Sequence, residues 1–363
     1  MKPFEPKHDR RYLLARMGNS GQLAGLRRFR FCEGRAKGVE AIEFRTGGGL
    51  EFTVLPGRCM DIASLAYRGV PVSYLAKPGI VAPEFYEPEG IGWLRNFFAG
   101  MLTTCGLTNV GPGGNFHDPM LGEIPTGLHG RIANTPAEQV GCSETWRGDE
   151  LELRASGKMR EAMLHAEHLT LTREITATLG AKSLRISDTV ENEGFLPRPL
   201  MLLYHINVGY PVLDAGSRLI CAARSVEANS PDAAAAVSEC RTMHAPVNAM
   251  PEKVYFHDLA CDSGPDAECG VALVNDALEL GCYVKFSKNQ LPEFTEWKQL
   301  GEAEYVVGLE PGNCRPSGMA AQERRGGLEI LPPGGVKRVE LELGILDGPD
   351  EIRQFEETVS QWK

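Results

Sequence analysis

Residues 167–192, "EHLTLTREITATLGAKSLRISDTVEN", constrain the fold more than any other stretch of this chain. Two Thr/Ile/Leu runs with period-2 alternation flank "LGAKS", the pattern of two half-buried strands joined by a tight turn. Residues 39–55, "VEAIEFRTGGGLEFTVL", repeat the theme with a glycine turn, a hairpin signal because Gly supplies the positive φ of a tight reversal. The continuation "PGRCMDIASLAYRGVPV" reads as further short strands. More strands are expected at 200–208, 271–275, 281–287, 304–310, 328–331 and 336–346.

Helical pattern is scarce. The best case is 350–362, with Ile352, Phe355, Val359 and Trp362 at helical spacing and Asp350 as N-cap after Pro349. Residues 91–102 fit a short helix or a strand, and "DAAAAVSE" (232–239) reads as a surface excursion. Many short strands, few helices and 41 glycines predict a large antiparallel β-sandwich. No Ser/Gly-rich linker divides the 363 residues, so a single domain is expected, with residues 1–38 as an N-terminal extension and 347–363 as a C-terminal helix.

A formal net charge of -10 without any Lys/Arg block argues against nucleic acid or an anionic membrane surface as partner. No apolar run approaches the ~20 residues needed to span a bilayer. The first twenty residues carry charges where a signal peptide needs an apolar core. Ten cysteines stand singly, with no CxxC or Cys/His zinc spacing. Reduced thiols in a cytoplasm are the expectation, and the oligomeric state stays open, a homo-oligomer included.

Three polar residues stand where bland ones would serve. His129 lies in "GLHGRIANTPAEQV", followed by Arg131 and Asn134. His205 closes the apolar run "MLLYHINVGYP". Glu310 ends the strand "YVVGLEPGNC" just before a Pro-Gly turn. Strand ends feeding loops are common places for sites, because a rigid scaffold presents side chains there. Taken singly, each has an ordinary structural reading: a satisfied core histidine, a turn residue, a paired carboxylate.

Together, the order His…His…Glu on a predicted sandwich resembles the galactose mutarotase/aldose 1-epimerase superfamily, within it the branch of aldose 1-epimerase-like proteins of uncharacterised function. "LTTCGLTNVG" followed by "GLHGRIANTPAEQ" is similar to the family's HG signature and the glycine-rich segment before it. "LRISDTVENEGFLPRPLMLLYHINVGYP" leads to the second histidine, "FTEWKQLGEAEYVVGLEPGNC" to the glutamate, and "LEILPPGGVKRVELELGIL" resembles the closing strands. The matches span about residues 39–346.

The resemblance implies a cofactor-free isomerase interconverting sugar anomers, with an ionised Glu310 as general base and a protonated His205 as general acid. His129 would steady the substrate near the ring oxygen. Well-characterised mutarotases also hold sugar hydroxyls with an aspartate, for which "NAMPEKVYFHDLA" offers Glu252, His257 and Asp258. "YHINVGYP" stands where that branch carries HxYFN, which marks Asn207 as a further candidate. Arg58 and Asp61 in "PGRCMDI", with Arg131, could bind hydroxyls, a carboxylate or a phosphate; Trp297 and Lys298 precede the glutamate strand, and a Trp face suits a sugar. No metal or cofactor is expected. Competing readings are a carbohydrate-binding or regulatory protein on the same fold, a metal enzyme with His129, His205 and Glu310 as a 2-His-1-carboxylate set, and a lyase or isomerase acting on a modified sugar.

Overall fold

The computed structural model describes residues 9–362. The chain is built from strands, with four short α-helices among the described residues. An eight-stranded antiparallel sheet holds the hairpin His168–Thr178 and Ser183–Asn192, Thr176 opposite Arg185. A second sheet centres on Arg198–Gly209, which pairs with Glu304–Gly312 on one side and Thr103–Leu107 on the other. A five-stranded sheet begins at Gly25–Arg30 and includes Glu40–Arg45, Leu50–Leu55 and Asp61–Tyr67. One apolar core draws on all three, with Ile186 from the first, Tyr204 and Leu309 from the second, and Phe44 from the third. This is the antiparallel β-sandwich that the alternating pattern predicts and that the resemblance to mutarotases implies.

The expected strands are present, most of them one to three residues longer. Residues 91–102 hold both forms: a short 3₁₀ turn, Gly92–Arg95, then the two-residue strand Ala99–Gly100. The C-terminal helix runs Pro349–Ser360, and Ile352, Phe355 and Val359 are buried against Ala272 and Leu346. Its N-cap is Gly348, not Asp350. Pro349 takes the first helical position, where its missing N–H costs nothing, and Glu351 accepts from the Asp347 N–H at 2.9 Å. In the expected N-terminal extension, residues 1–8 lie outside the described residues, while Gly25–Arg30 pairs with Glu40–Arg45.

Candidate active site

Arg198–Gly209 is buried at every position, so its two faces meet different surroundings. Leu202, Tyr204, Ile206 and Val208 enter the main core. Met201 and Leu203 pack on a second cluster with Trp93, Phe97 and Cys105. His205 belongs to this second face, two residues on in the period-2 pattern.

The neighbouring strand supplies the acid. The register that sets Ile206 against Leu309 brings Glu310 beside His205, and His205 Nε2 lies 3.1 Å from Glu310 Oε1. Glu310 can lie flat there because Gly308 has no side chain: a Cβ on Gly308 would stand 2.5 Å from Glu310 Oε1. The next strand, Glu293–Gly301, sets Trp297 opposite Gly308, and Trp297 meets the His205 ring edge-on at 5.1 Å. Phe97 meets it from another side at 5.2 Å.

His129 comes from a loop. Its backbone takes the left-handed region at φ +54°, and the next residue is Gly130, where a Cβ would stand 2.2 Å from the Gly106 carbonyl oxygen. The loop is thereby pressed onto Thr103–Leu107. The His129 ring tilts over Trp93 at 4.7 Å and stands 6.0 Å from the His205 ring. Gly111 N–H donates to His129 Nδ1 at 3.4 Å. That bond leaves the ring proton of the neutral imidazole on Nε2.

These groups open on a cavity of about 580 Å³, whose wall also includes Glu227, Glu252, Phe256 and Ser317. Trp297 Nε1 donates to Glu252 Oε2 at 2.8 Å. At the rim Arg315 is held by Glu293 at 3.0 Å and Glu227 at 2.7 Å, across the face of Phe256.

Burial dominates the electrostatics. It lowers His129 to a pKa of about 4. It lowers His205 to about 3, with a smaller push from His129 in the same direction and an opposing pull from the Asn207 amide. Burial, reinforced by the charge of Glu252, raises Glu310 well above the usual carboxylate range. The cavity therefore presents a neutral carboxyl beside a neutral imidazole. This corrects the expectation of an ionised Glu310 beside a protonated His205: desolvation by burial disfavours the charged form of each.

The structure brings His129, His205, Glu310, Glu252 and Trp297 to one cavity, with Asn207 behind His205. Asn207 donates to the carbonyls of Ala99 at 3.1 Å and His205 at 2.8 Å. The remaining sequence candidates lie elsewhere. Arg58 is buried, and its guanidinium donates to three carbonyls, those of Ala133 at 2.8 Å, Val81 at 2.5 Å and Asn96 at 3.0 Å. Asp61 accepts from Thr104 and from the buried Arg173 at 2.9 Å. Arg131 is exposed and faces a neighbouring cleft with Glu161 and Arg160. His257 and Lys298 point away from the cavity, because Phe256 and Trp297, each one residue off, face it. Asp258 is exposed and pairs with Lys288 at 2.7 Å. Among the described residues His129, His205 and Glu310 do not come together as ligands of one ion.

Trp93, Phe97, Phe256 and Gly308 are site residues that the sequence reading missed. Gly308, two residues before Glu310 and hence on its face, was the available signal.

No curated protein matches the chain in sequence. Among solved structures, one of a provisionally named aldose 1-epimerase from Klebsiella pneumoniae superposes with a TM-score of 0.86 at 23% identity, covering 95% of this chain and 90% of that one. A galactose mutarotase-like protein from Clostridium acetobutylicum gives 0.60 at 14% identity, over 90% and 99% of the two chains. Galactose 1-epimerase from Lactobacillus acidophilus gives 0.56 at 11%, again over 90% and 99%. At these identities the likeness shows the fold. The profile of a family described as a domain of unknown function, DUF4432, matches residues 36–345, and the chain belongs to that family.

Proposed function

We propose that the chain is a single-domain aldose 1-epimerase-type isomerase acting in the cytoplasm on neutral sugars, through Glu310 and His205 and without a cofactor. The observation that carries this reading is the buried pair itself, His205 Nε2 and Glu310 Oε1 at 3.1 Å inside an aromatic-walled cavity.

Opening a hemiacetal removes one proton from the C1 hydroxyl and delivers one to the ring oxygen, two oxygens that share one carbon. An adjacent acid and base suffice. A neutral carboxyl beside a neutral imidazole holds the same single proton as an ionised Glu310 beside a protonated His205. Transfer of that proton across the 3.1 Å contact creates the second form. Ionised Glu310 then takes the C1 hydroxyl proton as His205 protonates the ring oxygen, and the bond from C1 to that oxygen breaks. The aldehyde turns about C1–C2 and recloses with the roles exchanged, so the pair ends as it began. His129, with its proton on Nε2, donates to the substrate without competing for the shared proton.

A neutral sugar follows from the charges. Arg58 is committed to three backbone carbonyls, and Arg315 at the rim is held by two glutamates. Among the described residues that line the cavity none is cationic, while Glu227 and Glu252 suit hydroxyl donors.

Saturation-transfer NMR of anomeric exchange over neutral aldoses, sugar phosphates and uronic acids tests the reading. Faster exchange of at least one neutral aldose is expected. Acceleration of no sugar overturns the enzyme reading, and acceleration confined to anionic sugars overturns the substrate class.

A further inference from the structure

Behind the cavity wall, on the reverse face of the strands Lys253–Leu259 and Glu293–Gly301, three side chains of metal-binding type converge. Cys240 follows the short 3₁₀ turn Val237–Glu239. His257 and Glu296 lie on the two paired strands, where Tyr255 is set against Glu296. The thiol of Cys240, a ring nitrogen of His257 and a carboxylate oxygen of Glu296 lie within 4.8 Å of one another, and all three residues are buried. His257 Nε2 is 2.9 Å from Glu296 Oε2. The other oxygen, Glu296 Oε1, is buried without a hydrogen-bond partner. A buried carboxylate oxygen lacking a donor is a costly arrangement unless something else satisfies it.

We propose that Cys240, His257 and Glu296 form a binding site for a borderline-soft divalent cation, zinc foremost, on the side of these strands opposite the candidate active site. A thiolate, an imidazole and a carboxylate are zinc donors. Magnesium and calcium, which take oxygen ligands, are disfavoured by the sulfur. The charges also close. A thiolate and a carboxylate neutralise a divalent ion, so the buried complex carries no net charge.

The nearby cation does not compete for these ligands. Lys298 Nζ donates to the carbonyls of Glu239 at 2.9 Å, Cys240 at 3.1 Å and Thr242 at 2.7 Å, which pins the turn that presents Cys240. Cys221 Sγ lies 3.9 Å from His257 Nδ1, the ring nitrogen facing away from Glu296. It is therefore an outer partner, not a ligand. On binding, the Cys240 thiol releases its proton to water and the imidazole proton moves from Nε2 to Nδ1, toward Cys221. Bonds from the ion to sulfur, nitrogen and oxygen form, with no change of oxidation state. Three protein donors leave one tetrahedral position for water.

The test uses untagged full-length protein stripped with a chelator and titrated with Co²⁺. It should take up one ion per chain and develop the near-ultraviolet thiolate-to-cobalt charge-transfer band, which Zn²⁺ then bleaches by displacement. Zn²⁺ alone should raise the midpoint of thermal unfolding. Cys240→Ser should lose the band, and Glu296→Gln should weaken cobalt binding by about tenfold or more. Cys221→Ser and His205→Asn should keep the band. Absence of the band in folded wild type, its survival in Cys240→Ser, or its loss in Cys221→Ser overturns the assignment. Should Cys240→Ser fail to fold by circular dichroism, Glu296→Gln decides, and unchanged cobalt affinity overturns the site. The readout is metal binding, so it stands apart from whether any sugar is turned over.

Discussion

His205 and Glu310 face each other from adjacent strands at 3.1 Å, and burial holds the imidazole and the carboxyl neutral. Glu310→Gln and His205→Asn should each slow anomeric exchange by about 10²–10⁴-fold, the range for a lost general acid or base. The pH dependence follows from that neutrality. The pair gains a second proton only near the His205 value of about 3 and loses its one proton only above the raised Glu310 value. A kcat/KM profile measured by polarimetry should therefore show no acid limb near the ordinary histidine value of about 6.5. An acid limb there would contradict the buried, neutral pair.

Stability should respond to pH in the opposite region. His129 and His205 have folded pKa values of about 4 and about 3, below the unfolded value of about 6.5. Between those limits the unfolded chain binds protons that these two folded imidazoles refuse, so their contribution to stability falls as pH falls, while the raised Glu310 acts in the opposite sense. Each such group contributes a slope of up to about 1.4 kcal/mol per pH unit. Urea unfolding of His129→Gln across this window should show a flatter dependence than wild type by about that amount. Equal slopes would mean that His129 is not buried neutral.

Gly308→Ala isolates the orientation of the carboxylate. The added Cβ would stand 2.5 Å from Glu310 Oε1, so the carboxylate must turn away from His205. Catalysis should fall by about 10²-fold, as expected for a misplacement of about an ångström, while KM changes little. Wild-type kcat in this variant would show that the flat pose over Gly308 is dispensable.

Arg58→Lys probes an arginine that serves the fold alone. A lysine cannot reach the carbonyls of Val81, Asn96 and Ala133 together. Leaving one or two buried carbonyls unpaired should cost about 2–4 kcal/mol in urea unfolding. The relative rates for neutral and phosphorylated sugars should stay as in wild type.

Trp297→Phe keeps an aromatic face and removes the donor that holds Glu252 at 2.8 Å. One net hydrogen bond is worth about 0.5–1.5 kcal/mol. KM for the preferred sugar should rise about 3–10-fold with kcat nearly unchanged, measured in the same polarimetric assay.

The sandwich was legible because half-buried strands write their period into the sequence, as in Leu184, Ile186 and Val190. The same period could have sorted the candidates around Trp297. If Trp297 faces the cavity, Lys298 and Glu296 cannot, and Phe256 excludes His257 by the same count. Arg58 was not legible, since its three acceptors come from loops around residues 81, 96 and 133 that only the fold assembles. Nor was the charge state of the His205–Glu310 pair, which depends on how completely water is excluded. The convergence of Cys240 on His257 and Glu296 needed a strand register and a turn that no spacing rule encodes.

The buried His205–Glu310 pair and the rim of the cavity have different origins. His205 and Glu310 sit on paired central strands, whereas Glu227, Glu252, Pro316 and Ser317 sit at strand ends or in connecting segments. Insertions or exchanges in those segments can reshape the rim without moving the central strands. If the chain acts on sugars as proposed, changes at the mouth of the cavity would alter which sugar fits while the His205–Glu310 pair stays in place, which makes the rim the place to read or redesign preference.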